Sequence, residues 1–147
     1  MKIAVSACLL GEPCRFDGAA KPCAQVIELG KRHELVPVCP ECAGGLPTPR
    51  PASEIDAATP ALRVVNAAGE DVTAAFMSGA RRTLELVRAE GCEMAVLKAK
   101  SPSCGSGLVY DGTFTHTLVP GWGVAARLLA DAGIPVVDET HIRCFLL

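Results

Sequence analysis

The sequence has few of the features by which proteins bind nucleic acids or cross membranes. Aromatic residues make up only 4% of the 147 residues, so platforms on which bases could stack are scarce. The net charge is −2, and the chain has no basic run, which argues against binding to a nucleic-acid polymer. Although half of the residues are hydrophobic, no stretch approaches the roughly 18 apolar residues of a membrane span.

The N-terminal stretch also lacks the length of an export signal. Its segment "VSAC", ending at Cys8, resembles the cleavage box of a bacterial lipoprotein. Only Ile3 to Ala7 separate Lys2 from Cys8, whereas a signal needs an apolar region of roughly 7–15 residues. A short apolar run is instead typical of a buried parallel strand. We therefore expect Cys8 to stay in the chain, and the protein to be cytoplasmic and not bound to a membrane.

The pattern of apolar runs and turn residues predicts an α/β fold. A chain of this length forms one domain, here residues 1–147. Strands are predicted at Lys2–Cys8, Leu35–Val38, Met94–Ala99 and Ile134–Glu139, and helices at Pro22–Lys31, Val72–Gly91 and Gly121–Ala132. A loop is expected at Ala43–Ile55, and a small hairpin between Leu108–Tyr110 and Thr113–Thr115. Alternating strands and helices indicate a mostly parallel sheet flanked by helices, in a Rossmann-like three-layer arrangement.

Cysteine, in contrast, is abundant. The eight cysteines are Cys8, Cys14, Cys23, Cys39, Cys42, Cys92, Cys104 and Cys144. In a reducing compartment disulfides are rare, and an excess of cysteine more often indicates metal binding or catalysis. Some of these residues are also expected to be small buried hydrophobic side chains.

Three of the cysteines follow predicted strands. Cys8 ends the first strand, Cys39 ends the second, and Cys104 lies just beyond the third. If these strands are parallel neighbours, the three thiols meet at the carboxyl edge of the sheet, where ligands bind in such folds. Cys92 precedes its strand and belongs at the opposite edge, and Cys144 is in the tail, so both are expected to be structural.

The remaining cysteines leave the ligand set open. Cys14 and Cys23 flank the first loop and could fold back toward the thiols at the strand ends. Cys42 forms a C-x-x-C with Cys39, a weak signal because no second C-x-x-C and no histidine at metal spacing accompanies it. A thioredoxin-like dithiol is disfavoured, since such a pair begins a helix and a glycine-rich loop is predicted here.

Ligation by cysteine thiolates from distant loops favours a soft metal, either a zinc ion or an iron–sulfur cluster. Three protein ligands would leave one metal position open, as in catalytic sites. Glu41 lies two residues from Cys39, and Ser101 and Ser103 precede Cys104. Near a metal, the carboxylate could act as general acid or base, although an ordinary solvated loop glutamate is the alternative.

Five segments together resemble the thiouracil desulfidase family. They are "SACLLGEPCRFDG", "VPVCPE" with "GGLPTPR", "GEDVT", "LKAKSPSCGSG", and "YDGTF" with "LVPG". They occur in the expected order from the first strand to about Gly123, which is nearly the whole chain. Two residues depart from the family pattern: Cys42 stands where the family is usually apolar, and His116 stands in the hairpin where a small residue is expected.

The resemblance implies a 4Fe–4S cluster held by Cys8, Cys39 and Cys104, with the fourth iron open to substrate. It also implies non-redox removal of sulfur from a thiolated pyrimidine, giving uracil or a relative and hydrogen sulfide. Glu41 and Ser101 match the positions that assist with protons.

Four further residues are candidates for binding the substrate, namely Ser103, Asp17, Lys21 and Arg50. Lys21 and Arg50 could bind an anionic group such as a nucleotide phosphate, or could form ordinary loop ion pairs. One competing class is a metal- or cluster-binding module without catalysis, such as a sulfide carrier or a redox sensor. Another is a structural zinc domain that uses Cys39, Cys42 and two others, which is disfavoured because a chain of this length can fold without metal. Four protein ligands would favour the module. The sequence does not indicate an oligomeric state.

Overall fold

The structure, a computed structural model, describes residues 1–143. In chain order the strands are β1 (Lys2–Ser6), β2 (Glu34–Val38), β3 (Ser53–Ile55), β4 (Val64–Asn66), β5 (Met94–Leu97), β6 (Ser106–Tyr110), β7 (Leu118–Trp122) and β8 (Val136–Asp138). The α-helices are α1 (Ala24–Leu29), α2 (Pro40–Ala43), α3 (Thr73–Glu90) and α4 (Val124–Asp131), and a 3₁₀ turn spans Ala7–Leu10. Among the described residues, no helix is both long and apolar enough to cross a membrane.

The core of the fold is a four-stranded parallel sheet in the order β2-β1-β5-β8. Its central strands, β1 and β5, are largely buried on both faces because helices cover both. Ile3 and neighbouring apolar side chains pack with Val26 of α1. On the other face, Ala4 joins a cluster that includes Val87 of α3 and Leu129 of α4. The predicted α/β fold with a parallel sheet between helices is confirmed.

The strand order places the carboxyl ends of three strands side by side, as the sequence predicted. β1 pairs with β2 on one side and with β5 on the other, so the carboxyl ends of all three strands are adjacent. Cys92 precedes β5 and is buried with 9% of its surface exposed, at the opposite end of that strand, as predicted. Cys144 lies outside the described residues.

Several predicted element boundaries were wrong by a few residues. β1 ends at Ser6, and Cys8 belongs to the 3₁₀ turn that follows. Gly11 closes this turn with φ of +101° and donates its N–H to the Cys8 carbonyl oxygen, a left-handed conformation that suits glycine. α1 is shorter than predicted, and α4 begins at Val124 because the preceding residues are part of β7.

The loop predicted between Ala43 and Ile55 contains a short strand, β3, and a helical turn, α2, precedes it and ends at Ala43. α2 begins at Pro40, with Cys39 as its extended N-cap residue, and β3 pairs with β4 in a small antiparallel sheet. Both elements are too short to produce a readable hydrophobic period. A single helical turn after Cys39 also overturns the argument that this C-x-x-C does not begin a helix.

The second strand of the predicted hairpin was misplaced. β6 pairs with β7, and residues 113–115 lie in the connection instead of in a strand. The Asp111 carboxylate accepts hydrogen bonds from the N–H and hydroxyl of Thr113, and Phe114 and His116 both have positive φ. Asp111–Gly112 therefore begins a wide loop and not a two-residue turn.

Close packing of α2 on α3 fixes the end of β2 relative to the rest of the molecule. A Cβ atom added to Gly79 would overlap the Pro40 carbonyl, which belongs to the backbone and cannot swing away. We expect Gly79→Ala to destabilise the protein by about 2 kcal/mol, because the added Cβ overlaps backbone atoms that cannot move aside. The free energy of unfolding in urea measures this effect.

Gly30→Ala is the matched control for this prediction. Gly30 has φ of −63°, and an added Cβ would approach the Leu35 side chain at 3.4 Å and the Ile27 carbonyl oxygen at 3.2 Å. Its effect should stay within about 1 kcal/mol. Equal effects of the two substitutions would mean that the contact between α2 and α3 is not specially constrained.

Candidate active site

A cavity of about 400 Å³ opens at the carboxyl ends of β1, β2 and β5. Its wall includes residues 6–8, 38–41 and 98–104, which follow these three strands. Arg15, Lys21 and His116, from the first loop and from the hairpin connection, complete other parts of the wall. The cavity is therefore at the place predicted from the strand ends, and it has the size of a small-molecule site.

The three predicted thiols, Cys8, Cys39 and Cys104, all line this cavity. Burial, followed by the charges of Cys104 and Cys14, raises the pKa of Cys8 to about 11. Burial also raises the pKa of Cys39 and of Cys104. Without a bound cation these thiols are protonated, because thiolates here would be desolvated and would repel one another.

Cys14 lines the cavity, but Cys23 does not. The Cys39 thiol donates to the Cys14 backbone carbonyl oxygen at 3.9 Å, and burial raises the pKa of the Cys14 thiol. Cys14 and Cys23 both pack against the core beside α1. Cys42 is exposed and lies outside the cavity wall, with its sulfur 3.6 Å from the Thr48 hydroxyl.

Glu41 is held in the cavity wall by contacts to both of its carboxylate oxygens. Arg50 Nε donates to Oε1 at 3.1 Å, and the Ser103 hydroxyl donates to Oε2 at 2.8 Å. The side chains of Arg50 and Glu41 are only 5% and 15% exposed, so this is a buried ion pair. Glu41 is thus a fixed and oriented carboxylate, and the alternative of an ordinary solvated loop residue is wrong.

Ser101 and Ser103 form a directed chain of hydroxyl groups that ends at Glu41. The Ser101 oxygen accepts the backbone N–H groups of Ser103 at 3.2 Å and Cys104 at 3.1 Å. Its own proton is therefore available to the Ser103 oxygen, 3.0 Å away. Since the Ser103 proton points to Glu41, protons can pass in the order Ser101, Ser103, Glu41.

The other donors of Arg50 are directed to protein oxygens. Nη1 donates to the Pro47 carbonyl at 3.2 Å and to the Thr48 hydroxyl at 3.0 Å, and Nη2 donates to the Cys14 carbonyl at 3.0 Å. Burial opposes the charge, but Glu41 prevails and raises the pKa of Arg50. This geometry makes Arg50 a residue that positions Glu41 and the Cys14 loop, and Arg50 also lines the cavity, so its predicted role in binding an anionic group stays a prediction.

Removing Arg50 should leave a buried carboxylate without its cation. We expect Arg50→Met to lower the free energy of unfolding by about 3 kcal/mol, measured by urea denaturation. The double variant Arg50→Met/Glu41→Gln should lose less than the sum of the two single variants, because the pair is already broken. Additive losses would show that the two side chains do not interact.

An exposed ion pair provides the control for that measurement. Arg63 contacts Asp56 at 3.4 Å, and its side chain is 48% exposed. Surface pairs contribute about 0–1 kcal/mol, so Arg63→Met should change stability far less than Arg50→Met.

The structure places some of the other predicted residues in the cavity wall and one of them outside it. Lys21 is exposed and lines the cavity. Asp17 lies outside the cavity wall, and its carboxylate accepts the Ala19 N–H at 3.0 Å within its own turn. The prediction that Asp17 binds substrate therefore has no support in the geometry. His116 lines the cavity and makes an edge-on contact with the Tyr110 ring at 5.8 Å between centroids.

Lys98 and Glu54 are among the wall residues that the sequence analysis missed. Lys98 follows β5, and its ammonium lies 3.3 Å from Glu139 and donates to the Ala99 carbonyl at 3.0 Å. Its position one residue beyond a strand was a usable signal. Glu54 accepts the N–H groups of Gly112 at 3.0 Å and Phe114 at 3.1 Å, which holds the hairpin connection over the cavity. No sequence pattern pointed to Glu54.

The donor set fits an iron–sulfur cluster better than a single metal ion. Within residues 1–143, no three histidine, cysteine, aspartate or glutamate side chains converge closely enough to chelate one ion. A cluster takes one thiolate at each iron, so it needs thiols spread around a cavity. Cationic iron would also stabilise the crowded thiolates whose charged forms are otherwise disfavoured.

A parallel sheet whose carboxyl edge carries thiols beside an oriented carboxylate is typical of an α/β enzyme with its site at the strand ends. Residues 3–141 match the family model described as 2-thiouracil desulfurase, and the chain belongs to that family. The family resemblance noted in the sequence is thereby confirmed.

Two individual relatives support the assignment. The structure of the 4Fe–4S-dependent thiouracil desulfidase TudS is 44% identical and superimposes with a TM-score of 0.87, over 97% of this chain and 93% of that one. "Uncharacterized protein YbbK" of Bacillus subtilis (strain 168) is 39% identical over 150 residues, covering 98% of this chain and 99% of the relative.

Proposed function

We propose that this protein removes sulfur from a thiolated pyrimidine such as 2-thiouracil, without net redox change, and releases hydrogen sulfide. Water replaces sulfur, so one thiocarbonyl and one water give one carbonyl and one hydrogen sulfide. The proposal rests on the juxtaposition of Cys8, Cys39 and Cys104 with the Glu41–Ser103 hydrogen bond in one cavity. The similar structure, TudS, is described as a 4Fe–4S-dependent thiouracil desulfidase.

Cys8, Cys39 and Cys104 would hold a 4Fe–4S cluster as thiolates. When bound, the cluster supplies a Lewis acid at its open iron, which polarises the thiocarbonyl group and has affinity for the departing sulfur. Deprotonation of the three thiols accompanies loading, because burial keeps them neutral in the cluster-free protein.

Proton transfer is assigned to the Glu41 carboxylate. Its Oε2 accepts the Ser103 hydroxyl, and its position in the cavity wall allows it to take a proton from a water that attacks the thiocarbonyl carbon. Ser103 is 2% exposed, so it serves as a relay between Ser101 and Glu41 better than as a direct substrate ligand. Arg50 holds the carboxylate in place throughout.

The proposed substrate is a small thiolated pyrimidine, which suits a small-molecule cavity of about 400 Å³. Lys21 is an exposed cation in the wall and would bind an anionic substituent, such as the phosphate of a nucleotide. A comparison of kcat/KM for 2-thiouracil and for its nucleotide, with wild type and Lys21→Met, tests this assignment. Equal ratios in the two proteins would remove Lys21 from substrate binding.

The experiment that tests the function uses protein reconstituted with iron and sulfide without oxygen. Incubation with excess 2-thiouracil should give uracil and sulfide in equal amounts over many turnovers, followed by chromatography and a sulfide assay. Cluster-free protein is the control and should be inactive. A loaded protein that forms no uracil would contradict the proposal and favour a non-catalytic cluster-binding module.

A further inference from the structure

We propose that Lys98 is a further catalytic residue of the proposed reaction, and that its ammonium group contacts the sulfur atom as it leaves the pyrimidine as hydrosulfide. The inference rests on the proposed function and deepens it, because it names the residue that offsets the charge of the departing sulfur. It follows from the place of Lys98 directly after β5, in the wall of the cavity that the three assigned thiols line.

The Lys98 side chain is fixed by oxygen atoms of two residues. Its Nζ donates to the Ala99 carbonyl at 3.0 Å and lies 3.3 Å from Oε2 of Glu139. Oε1 of the same carboxylate accepts the Ala99 N–H at 2.7 Å, so Glu139 is oriented as well. The Lys98 N–H donates to the Ser6 hydroxyl oxygen at 2.9 Å, which ties the end of β5 to the end of β1. The ammonium is therefore a charge that is in place before a ligand arrives.

This ammonium has room for one more hydrogen-bond acceptor. It carries three N–H donors, and within residues 1–143 it has two oxygen partners, on Ala99 and Glu139. The Lys98 side chain is 22% exposed and lines the cavity, so the third donor is available to a molecule bound there.

The strand order places Lys98 and Glu41 on different sides of Cys8. Glu41 follows β2, Cys8 follows β1 and Lys98 follows β5, and these strands are adjacent in that order. Two strand spacings, about 10 Å, separate the ends of β2 and β5. Burial raises the pKa of Cys8 to about 11, and the Lys98 charge opposes this rise, so its field reaches the thiol between them. The site thus has a proton acceptor on one side and a fixed cation on the other.

Other cations of the cavity wall are placed differently. Arg50 directs its N–H groups to a carboxylate and to protein oxygens. Lys21 and Lys100 are exposed, and the Arg15 guanidinium lies over an aromatic ring, 5.7 Å from its centroid. Lys98 combines partial burial, fixed geometry and a position at a central strand end, which suits it to the reacting atoms.

The assigned step needs no oxidant or reductant. Glu41 takes one proton as water adds to the thiocarbonyl carbon, and an electron pair of the carbon–sulfur double bond moves to sulfur. The carbon–oxygen double bond forms as the carbon–sulfur bond breaks, and the hydroxyl proton moves to sulfur to give hydrosulfide. Lys98 keeps its own protons and offsets the negative charge on sulfur, as an oxyanion hole does for oxygen. Glu41 then releases its proton to solvent.

Hydrosulfide binding to the loaded protein tests the proposal apart from turnover. Sodium sulfide is titrated without oxygen while the visible absorption of the cluster is followed, and iron analysis of the same samples corrects for loading. The dissociation constant should rise at least about fivefold in Lys98→Met, the effect of losing one opposite charge at close range. Lys98→Arg keeps the charge and should bind nearly as tightly as wild type. An unchanged constant in Lys98→Met would overturn the proposal.

Variants of Glu139 separate this role from that of a structural ion pair. Glu139→Gln breaks the pair but keeps the ammonium, so it should bind hydrosulfide at least as tightly as wild type. The double variant Lys98→Met/Glu139→Gln leaves no carboxylate without its cation, and it should bind as weakly as Lys98→Met. If Glu139→Gln and Lys98→Met weakened binding equally, Lys98 would act only through the pair and the inference would be wrong.

Two controls test whether the effect is specific. Lys31 is 74% exposed, pairs with Glu28 at 3.0 Å and lies outside the cavity wall, so Lys31→Met should bind hydrosulfide as wild type does. Uracil is neutral, so its inhibition constant should change far less in Lys98→Met than the dissociation constant of hydrosulfide. Equal changes for uracil and hydrosulfide would mean that Lys98 only shapes the cavity.

The failure of this inference and that of the proposed function give different results. If wild type desulfurates 2-thiouracil and Lys98→Met keeps its affinity for hydrosulfide, the inference alone is overturned. If loaded wild type forms no uracil, the proposed function is overturned, and the catalytic role of Lys98 with it.

Discussion

Cys104→Ala protein, purified without oxygen, is expected to contain almost no iron or acid-labile sulfide, whereas wild type should contain about four of each per chain. Cys104 is 5% exposed and lies in the cavity wall, where the Ser103 hydroxyl is 3.6 Å from its sulfur. Loss of one of three ligands from so buried a position leaves two thiolates to hold the group. Desulfuration should fall to the background rate.

The control for this variant is Cys92→Ala. Cys92 and Cys104 belong to the same hydrophobic cluster on one face of the sheet, but Cys92 precedes β5 and lies outside the cavity wall. Both substitutions remove one buried sulfur, so their effects on packing are comparable. If Cys104→Ala kept the full iron and sulfide content of Cys92→Ala, the assignment of Cys104 as a ligand would be wrong.

Glu41→Gln is expected to bind the cluster normally and to lower kcat by about 10²- to 10⁴-fold, the range for loss of a general acid or base. Glutamine keeps the size of the side chain and can still accept a hydrogen bond from Ser103. It cannot take a proton from water at neutral pH. The measurement combines steady-state desulfuration rates with iron analysis of the same samples.

Two other variants serve as comparisons for Glu41→Gln. Glu12→Gln changes an exposed carboxylate outside the cavity wall and should leave kcat unchanged. Ser103→Ala leaves Arg50 to hold Glu41 but interrupts the relay from Ser101, so its kcat should fall between those of Glu41→Gln and wild type. A Glu41→Gln protein with an intact cluster and full activity would remove the carboxylate from the mechanism.

Arg50 connects these expectations to the fold. Its guanidinium bonds a carboxylate on α2 and a carbonyl oxygen in the first loop, and thereby joins the two segments that carry Cys39 and Cys14. A change at Arg50 should therefore affect stability and catalysis together. Changes at Ser103 and Glu41 should act mainly on the proton transfers.

Local pattern alone predicted the strands that carry the site. Buried parallel strands are short continuous apolar runs, and this signal gave β1, β2, β5 and β8 to within a few residues. Because the carboxyl ends of such strands meet at one edge, the positions of Cys8, Cys39 and Cys104 were enough to predict that their thiols share a cavity. The family resemblance rested on the same segments and on the loops next to them.

The short elements could not be read in the same way. α2 is a single turn and β3 has three residues, so neither contains a full hydrophobic period. The hairpin was misplaced because Asp111 bonds Thr113 and opens the connection into a wide loop. Such choices depend on side-chain hydrogen bonds that no apolar pattern records.

The sequence by itself determined which strands form the sheet and which thiols follow them, since both depend on apolar runs along the chain. Only the tertiary structure decided that Arg50 holds Glu41, that Ser103 contacts Glu41 directly, and that Cys14 enters the cavity while Cys42 does not. The Ser103–Glu41 bond joins residues 62 positions apart, and the Arg50–Cys14 bond joins residues 36 positions apart. Loops take the conformation that satisfies such distant polar groups, and that conformation exists only once the sheet and helices have assembled.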